Sequence, residues 1–398
     1  MKALGDYVHN AGLSFAMYTA ESTETCGGYP ASANHETIDA NTFASWGVDY
    51  LKVDGCGPGD YYPYGYQAMG AALEASGRDI VYSCSWPAYI GDNETEKPFN
   101  TFIMDGCNLW RNWDDIQCDP GSLFSIIDHW GDYGDALAPY AGPGHWHDAD
   151  MLLIGNNCIS QDEERTQMAI WSIIASPLIM GNDPRNISAA SKAILTNADA
   201  IAVSQDALGQ MGLRLDNSSS AQGQRWYRVL ANGDVAVGLL NRGGQMPQPP
   251  IPVGTCPSWN HTTDGYYEAC GGGAGNVGQF SNLTPAQAQA ACCANAQCAG
   301  FSFEPDGSGT GGGYYKGNAL CGFTHSRGLE GWDKAGQVPP AGGIPLDISI
   351  NFADVNLKSP VTVYDIWAQK SLGAFSGSYT ASQVPYHGTA FVRLTGSS

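Results

Sequence analysis

Up to about residue 203 the chain alternates two hydrophobic periods. Apolar positions recur at helical spacing over 2–10, 35–46, 64–74, 97–104, 122–136, 161–175 and 189–195. The first six of these segments are each followed by a short apolar run, at 13–18, 50–53, 80–83, 107–111, 145–148 and 178–180. Gly12 and Gly47 stand where the first two helices must stop. Helix and strand in strict alternation predict parallel strands joined by crossover helices. Six such units opening on a helix predict an α/β chain built as a (β/α)8 TIM barrel that lacks its first two strands. Six parallel strands alone leave an open edge, so residues upstream of Met1 are expected to complete the cylinder.

After about residue 204 the period shortens to two. Alternating runs at 224–229, 235–240, 344–355, 361–367, 374–379 and 390–394, with turns at Asn232-Gly233 and Arg242-Gly243-Gly244, predict an antiparallel β-sandwich domain. The predicted organisation is therefore a barrel over 1–203, a β domain over 204–246 and 342–398, and an inserted module over 247–341. The insert is Gly-rich and holds Cys256, Cys270, Cys292, Cys293, Cys298 and Cys321, with one short helix read at 286–294. Few of its residues could build an apolar core, so three disulfides are expected to hold it, in any of 15 pairings. Cys298-Ala299-Gly300-Phe301-Ser302-Phe303 resembles apple or PAN-type domains, which reads as a docking or lectin-like module or as a decoration without a ligand.

Charge narrows the partners. The formal net charge of −21, with 39 acidic against 18 basic residues in 398, argues against nucleic acid and anionic membrane and suits a neutral or cationic ligand. No run is apolar enough to insert in a membrane, and the first residues read as an amphipathic helix rather than a signal peptide. Twelve cysteines and sequons at Asn93, Asn186, Asn217, Asn260 and Asn282 point to an oxidising secretory compartment, so a signal peptide is expected upstream.

The candidate chemistry gathers where the predicted strands end. Asp54 leaves the strand over 50–53 with Lys52 on the same face, and a nearby ammonium suits an ionised carboxylate. A lone Asp after a strand is more often a helix cap. Its neighbours argue otherwise: the other strands end at Tyr18, at Cys84-Ser85-Trp86-Pro87-Ala88-Tyr89, at Trp110-Arg111-Asn112-Trp113-Asp114-Asp115 and at Trp146-His147-Asp148-Ala149-Asp150-Met151. Aromatic rings, carboxylates and an arginine around one rim suit a sugar. Cleaving a glycosidic bond takes two carboxyl groups, one ionised and one protonated. Asp54 fits the first role, and spacing leaves Asp114, Asp115, Asp148 and Asp150 open for the second.

Three ordered blocks resemble glycoside hydrolase family 27: Leu51-Lys52-Val53-Asp54-Gly55-Cys56, Trp110-Arg111-Asn112-Trp113-Asp114-Asp115-Ile116, and 141–151, which reads Ala-Gly-Pro-Gly-His-Trp-His-Asp-Ala-Asp-Met. The resemblance covers residues 1–242 and 344–394. It implies a retaining α-galactosidase or α-N-acetylgalactosaminidase on a (β/α)8 barrel with a β domain behind it. It further implies Asp54 as nucleophile, Asp115 as acid/base, and Tyr18, Lys52, Arg111, Asp150 and Met151 as pocket residues. Cys26 with Cys56 and Cys84 with Cys107 match the family's disulfides. Cys118 and Cys158 are expected to pair as well, from their place on neighbouring loops.

Specificity is read from one block. Where the family's strict α-galactosidases place Glu and Leu, the resemblance puts Ser85 and Ala88, as in its α-N-acetylgalactosaminidases. A hydroxyl and a methyl leave room for a 2-acetamido group, with Ser85 bonding the amide and Ala88 and Tyr89 against its methyl. The expected reaction is removal of terminal α-N-acetylgalactosamine, and of α-galactose, from glycans by double displacement, with no metal and no cofactor. The alternatives are a strict α-galactosidase and an inactive glycan-binding protein; a homodimer is left open. His147 and Ala149 depart from the family's Asn and Pro. The first two strands, which in the family carry a Trp and an Asp pair, are not in this sequence, so weak activity of this polypeptide is expected.

Overall fold

The computed structural model describes residues 1–216, 221–243, 259–269, 276–295, 297–305, 310–316, 320–334 and 344–397. The first half interleaves α1 (Lys2–Asn10), β1 (Ala16–Ala20), α2 (Glu36–Trp46), β2 (Tyr50–Asp54), α3 (Tyr62–Ala75), β3 (Val81–Cys84), α4 (Phe99–Met104) and β4 (Leu109–Arg111). It continues with α5 (Pro120–Leu137), β5 (Trp146–Asp148), α6 (Gln161–Ile173), α7 (Ala189–Leu195) and α8 (Ala198–Ser204). The strands pair in parallel in chain order, β1-β2-β3-β4-β5. That order, with a helix after each strand, is barrel topology; a doubly wound sheet reverses its order partway.

Local chemistry sets the boundaries. Gly47 ends α2 in the left-handed region at φ 79°. Asp119 caps α5 ahead of Pro120, and Ser160 with Glu163 forms a capping box on α6. The strand expected over 178–180 is reduced to one parallel bridge between Met180 and Leu152. Pro177, which has no N–H to give, and Ala175 at φ 57° break the run before a ladder can form. α8 escaped the pattern because its helical signal lies in its cap, where Asn197 accepts from the N–H groups of Asp199 and Ala200. Leu51, Val53, Tyr82, Cys84 and Trp110 bury the sheet in one core with Tyr66, Met69, Leu123, Trp130 and Trp171 of the helices.

The chain then forms β6 (Leu213–Arg214), β7 (Gly223–Val229) and β8 (Val235–Asn241), and passes through the insert. The insert holds β9 (Trp259–Ala269), β10 (Asn276–Leu283), α9 (Pro285–Ala294), β11 (Gly300–Pro305), β12 (Gly311–Lys316) and β13 (Leu320–Lys334). After it come β14 (Leu346–Asn351), β15 (Lys358–Asp365), β16 (Lys370–Phe375), β17 (Ser378–Val384) and β18 (Thr389–Ser397). The sheet β16-β15-β18-β8-β7-β6 and the pair β14-β17 share a core of Val237, Leu239, Ile348, Ile350, Val361, Val363, Val392 and Leu394, which makes a two-layer sandwich. The sandwich is welded to the first half: Trp226, Ala236, Leu240 and Phe391 belong to the barrel's core. Across that joint Thr166 Oγ1 donates to His387 O (2.6 Å) and lies 2.8 Å from Thr389 Oγ1, and Arg228 Nη1 donates to Ser172 O (2.7 Å).

The insert departs from expectation. Beside the helix it forms a five-stranded antiparallel sheet, β10-β12-β11-β13-β9, and a small core of Phe280, Ala288, Cys292, Cys298, Phe301 and Phe303. Its glycines serve close packing: a Cβ on Gly313 would meet Ser302 O at 1.9 Å, and one on Gly311 would meet Glu304 O at 2.3 Å. Cys292 is bonded to Cys298, and Cys293 is disulfide-bonded too. Cys256, Cys270 and the side chain of Cys321 lie outside the described residues, as do Asn217 and the side chain of Asn260. Asn93, Asn186 and Asn282 are exposed. Among the described residues no helix is long and apolar enough to cross a membrane.

Candidate active site

β2 is half-buried at Tyr50, Lys52 and Asp54 and buried at Leu51 and Val53, so alternation delivers Asp54 to the rim from the strand's last position. Its carboxylate meets three donors. Tyr18 OH donates to Oδ2 at 2.8 Å, and Tyr89 OH and the Gly55 N–H donate to Oδ1 at 3.0 and 2.9 Å. Burial, reinforced by the adjacent carboxylate, raises both phenols above their ordinary range, so they stay protonated and donate. Gly55 cannot be larger, because a Cβ there would lie 2.5 Å from the Tyr89 ring and 2.7 Å from Tyr62 OH. Tyr62 packs edge-to-face on Tyr89 at 5.4 Å and so fixes that ring. Lys52 shares the face of Asp54 but forms no ion pair with it within 4 Å; hydroxyl and amide donors hold the carboxylate instead.

β4 ends at Arg111, whose guanidinium bridges two acids: Nη1 lies 2.9 Å from Asp150 Oδ2, and Nη2 lies 3.0 Å from Asp115 Oδ1. Nη2 also donates to the carbonyls of Trp113 and Asp114, so the loop curls around it. Four aspartates were open for the second carboxyl, and their surroundings separate them. Asp150 is 8% exposed, sits at φ 77°, and accepts from Ile116 N and Met151 N as well as Arg111. Asp148 is buried, accepts from Asp150 N, and has its carboxyl pushed up by burial. Asp114 is exposed and reaches Arg111 only through its carbonyl. Asp115 is 81% exposed, with one oxygen tethered and the other free to meet a ligand.

The remaining pocket candidates line the same rim. Tyr18, Tyr89 and Met151 are partly exposed, Ala88 is half-buried, and Ser85 is buried with no hydrogen-bond partner for its Oγ among the described residues. The bonds Cys26–Cys56, Cys84–Cys107 and Cys118–Cys158 are formed. Cys26 Sγ lies 3.8 Å from Asp54 Oδ2 and carries no proton, so this is a contact, not a hydrogen bond. Cys26, Asp54 and Cys56 are close enough together for a metal, but sulfurs joined to each other are not thiolate ligands. A cavity of about 920 Å³ lies at the strands' other ends, against Arg78, Asn108 and Gly144, away from these residues.

Two buried polar clusters behind the rim have no counterpart among the sequence candidates. Glu21 is fully buried, with neither oxygen hydrogen-bonded to a donor; burial and the Glu36 charge push its carboxyl up to about 8. Glu36 in turn accepts from Tyr61 OH and Asn34 N. In the second cluster Glu94 Oε1 accepts from Lys97 Nζ (2.7 Å) and His129 Nε2 (2.8 Å), and Oε2 from Asn112 Nδ2 (3.2 Å). His147, one of the family departures, joins it. Its Nε2 donates to Leu137 O, leaving Nδ1 to accept from Trp110 Nε1 and Asn112 Nδ2. Burial pushes that imidazole down to about 4, so it stays neutral. The spacing of Glu94 and Lys97, three residues apart, was the available signal.

Residues 1–206 match the family described as alpha galactosidase A, and 340–394 match its C-terminal beta sandwich domain. The alpha-N-acetylgalactosaminidase of Gallus gallus is 45% identical over 249 residues, covering 62% of this chain and 61% of that protein. Human alpha-galactosidase A is 43% identical over 244 residues, covering 61% and 56%. The matched stretch thus spans about three fifths of these relatives' length. Among solved structures, alpha-galactosidase I from Mortierella vinacea has a TM-score of 0.66 at 26% identity, covering 100% of this chain and 80% of that one. Matching the family over more than half its length, this chain belongs to glycoside hydrolase family 27, the alpha-galactosidase A family.

Proposed function

We propose that the protein is a retaining exo-glycosidase that removes terminal α-N-acetylgalactosamine, and more slowly α-galactose, from glycans. The observation that carries the reading is the unlike treatment of two carboxyls on one rim, one at the end of β2 and one on the loop after β4. Asp54 is held by three donors that fix its direction, and Asp115 is tethered at one oxygen and open at the other. In the first step an Asp54 oxygen forms a bond to the anomeric carbon as the glycosidic C–O bond breaks, and Asp115, protonated, gives its proton to the departing oxygen. In the second, Asp115 takes a proton from water, which attacks the same carbon, releases Asp54 and leaves the α configuration retained.

The preference for N-acetylgalactosamine rests on Ser85 and Ala88, whose small side chains leave space beside C2, and on the unpartnered Ser85 hydroxyl. Wild-type protein is expected to hydrolyse a chromogenic α-N-acetylgalactosaminide faster than the matched α-galactoside. NMR of the first-formed sugar should give the α anomer. Asp54→Asn should lower turnover by about 10⁴-fold or more. Turnover that survives in this variant, or a β product, would sink the reading. The double variant Ser85→Glu, Ala88→Leu should invert the preference, losing about 10²-fold on the acetamido sugar; an unchanged ratio would show that these two side chains do not set it, and a wild-type protein faster on the α-galactoside favours the strict α-galactosidase reading. The barrel disulfides support a secretory compartment.

A further inference from the structure

The cluster around Glu94 lies under the loop that carries Asp115. Residues 112 and 113 are the link between Arg111, at the end of β4, and Asp115, and both are gripped from below. Lys97 Nζ donates to Asn112 O at 2.5 Å, and Asn112 Nδ2 donates to Glu94 Oε2. Trp113 stacks on His129 with ring centroids 4.1 Å apart and planes 2° from parallel, and His129 donates to Glu94 Oε1. The Trp113 indole also donates to Asp92, on the segment that leads into Glu94. Glu94 and Lys97 have side chains with no exposure at all, and Asn112 is equally enclosed. Exposed ion pairs contribute little to stability and buried ones bear a desolvation cost. A buried pair whose remaining bonds run to Asn112 of that loop and to His129 of α5, on which Trp113 stacks, has the geometry of a support.

We infer that Glu94 is a positioning residue for the acid/base step: it fixes residues 112 and 113, and through them the Arg111-held carboxyl of Asp115 at the departing oxygen. Glu94 touches no substrate in this scheme and acts only through Asn112 and Trp113. The inference rests on the reading of Asp115 as acid/base, and the experiment separates the two.

The test compares kcat/KM on a 2,4-dinitrophenyl α-N-acetylgalactosaminide, whose phenolate leaves without a proton, with kcat/KM on the methyl glycoside, whose alkoxide needs one. Asp115→Asn, Glu94→Gln and Lys97→Met are each made in the full-length protein. The ratio of the two rates is independent of how much of each preparation is folded. Asp115→Asn should depress the methyl substrate selectively, by about 10²-fold or more relative to the dinitrophenyl one. Glu94→Gln and Lys97→Met should do the same by about tenfold, with KM nearly unchanged. If Asp115→Asn is selective while both other variants keep the wild-type ratio, Glu94 is only structural and the inference is overturned. If Asp115→Asn itself keeps the ratio, the acid/base assignment fails and the inference falls with it. Should Glu94→Gln give no active protein, Lys97→Met decides alone, since it removes the link to Asn112 O and leaves Glu94 paired with His129.

Discussion

At Glu21 the chain buries an acid beside a second acid, and the consequence is a stability that depends on pH in an unusual direction. The folded state holds this proton up to about pH 8, whereas an unfolded glutamate releases it near 4.5. The folded protein therefore binds more protons between those values, and the stabilisation is complete below about pH 4.5 and lost as pH climbs through about 8. Urea midpoints should fall by the equivalent of a few kcal/mol from about pH 5 to about pH 8, and Glu21→Gln, which keeps the shape without the charge, should flatten that fall. An unaltered slope in the variant would show that the pair does not titrate there. Tyr89 sets a second residue-scale expectation: Tyr89→Phe removes one of three donors to Asp54 and should lower kcat about tenfold or more with little change in Tm. Neither residue's partner could be seen in the sequence. Asp54 stood out because a strand-end aspartate followed by Gly is a local pattern, but its side-chain donors lie 36 and 35 residues away. Lys52 was the visible neighbour and not the contacting one.

At the scale of elements, legibility followed the length of the apolar period. α1 and α7 match their predicted spans, and the other helices read from the sequence agree within two residues, because the apolar period that marks them is local. The short run over 178–180 did not become a strand, since three residues cannot outweigh Pro177. In the insert, glycines that bring two backbones together were indistinguishable from glycines that turn a loop. The loop that carries Asp115 is pinned at its far end by the Cys118–Cys158 bond, which closes a span of 40 residues and ties it to the segment before α6. Replacing both cysteines with Ser should cost about 3–4 kcal/mol of stability by loop entropy. It should also reduce kcat on unactivated substrates more than KM changes, read from denaturation midpoints and steady-state kinetics side by side. A variant as stable and as active as the parent would mean that the loop is held entirely from the Arg111 side.

Over the whole molecule, barrel and sandwich share one core and a set of hydrogen bonds across the joint, so they are expected to unfold together. Thr166→Val leaves His387 O short of a donor and Thr389 Oγ1 short of a partner in a buried interface. It should lower stability by about 1–3 kcal/mol in a single transition; two separated transitions in calorimetry would show that the halves melt independently. The insert is attached quite differently. Asn241, fully buried at the end of β8, donates through Nδ2 to Ile344 O at 2.8 Å and to Val384 O at 2.9 Å, and Gly243 N donates back to its Oδ1. One amide thus clasps the two places where the polypeptide departs from the sandwich and returns to it. Such a clasp secures both ends of the excursion from within the host, so replacing residues 244–343 by a short turn is expected to leave the register of the returning strand unchanged, even though the contact of β13 with α5 is lost.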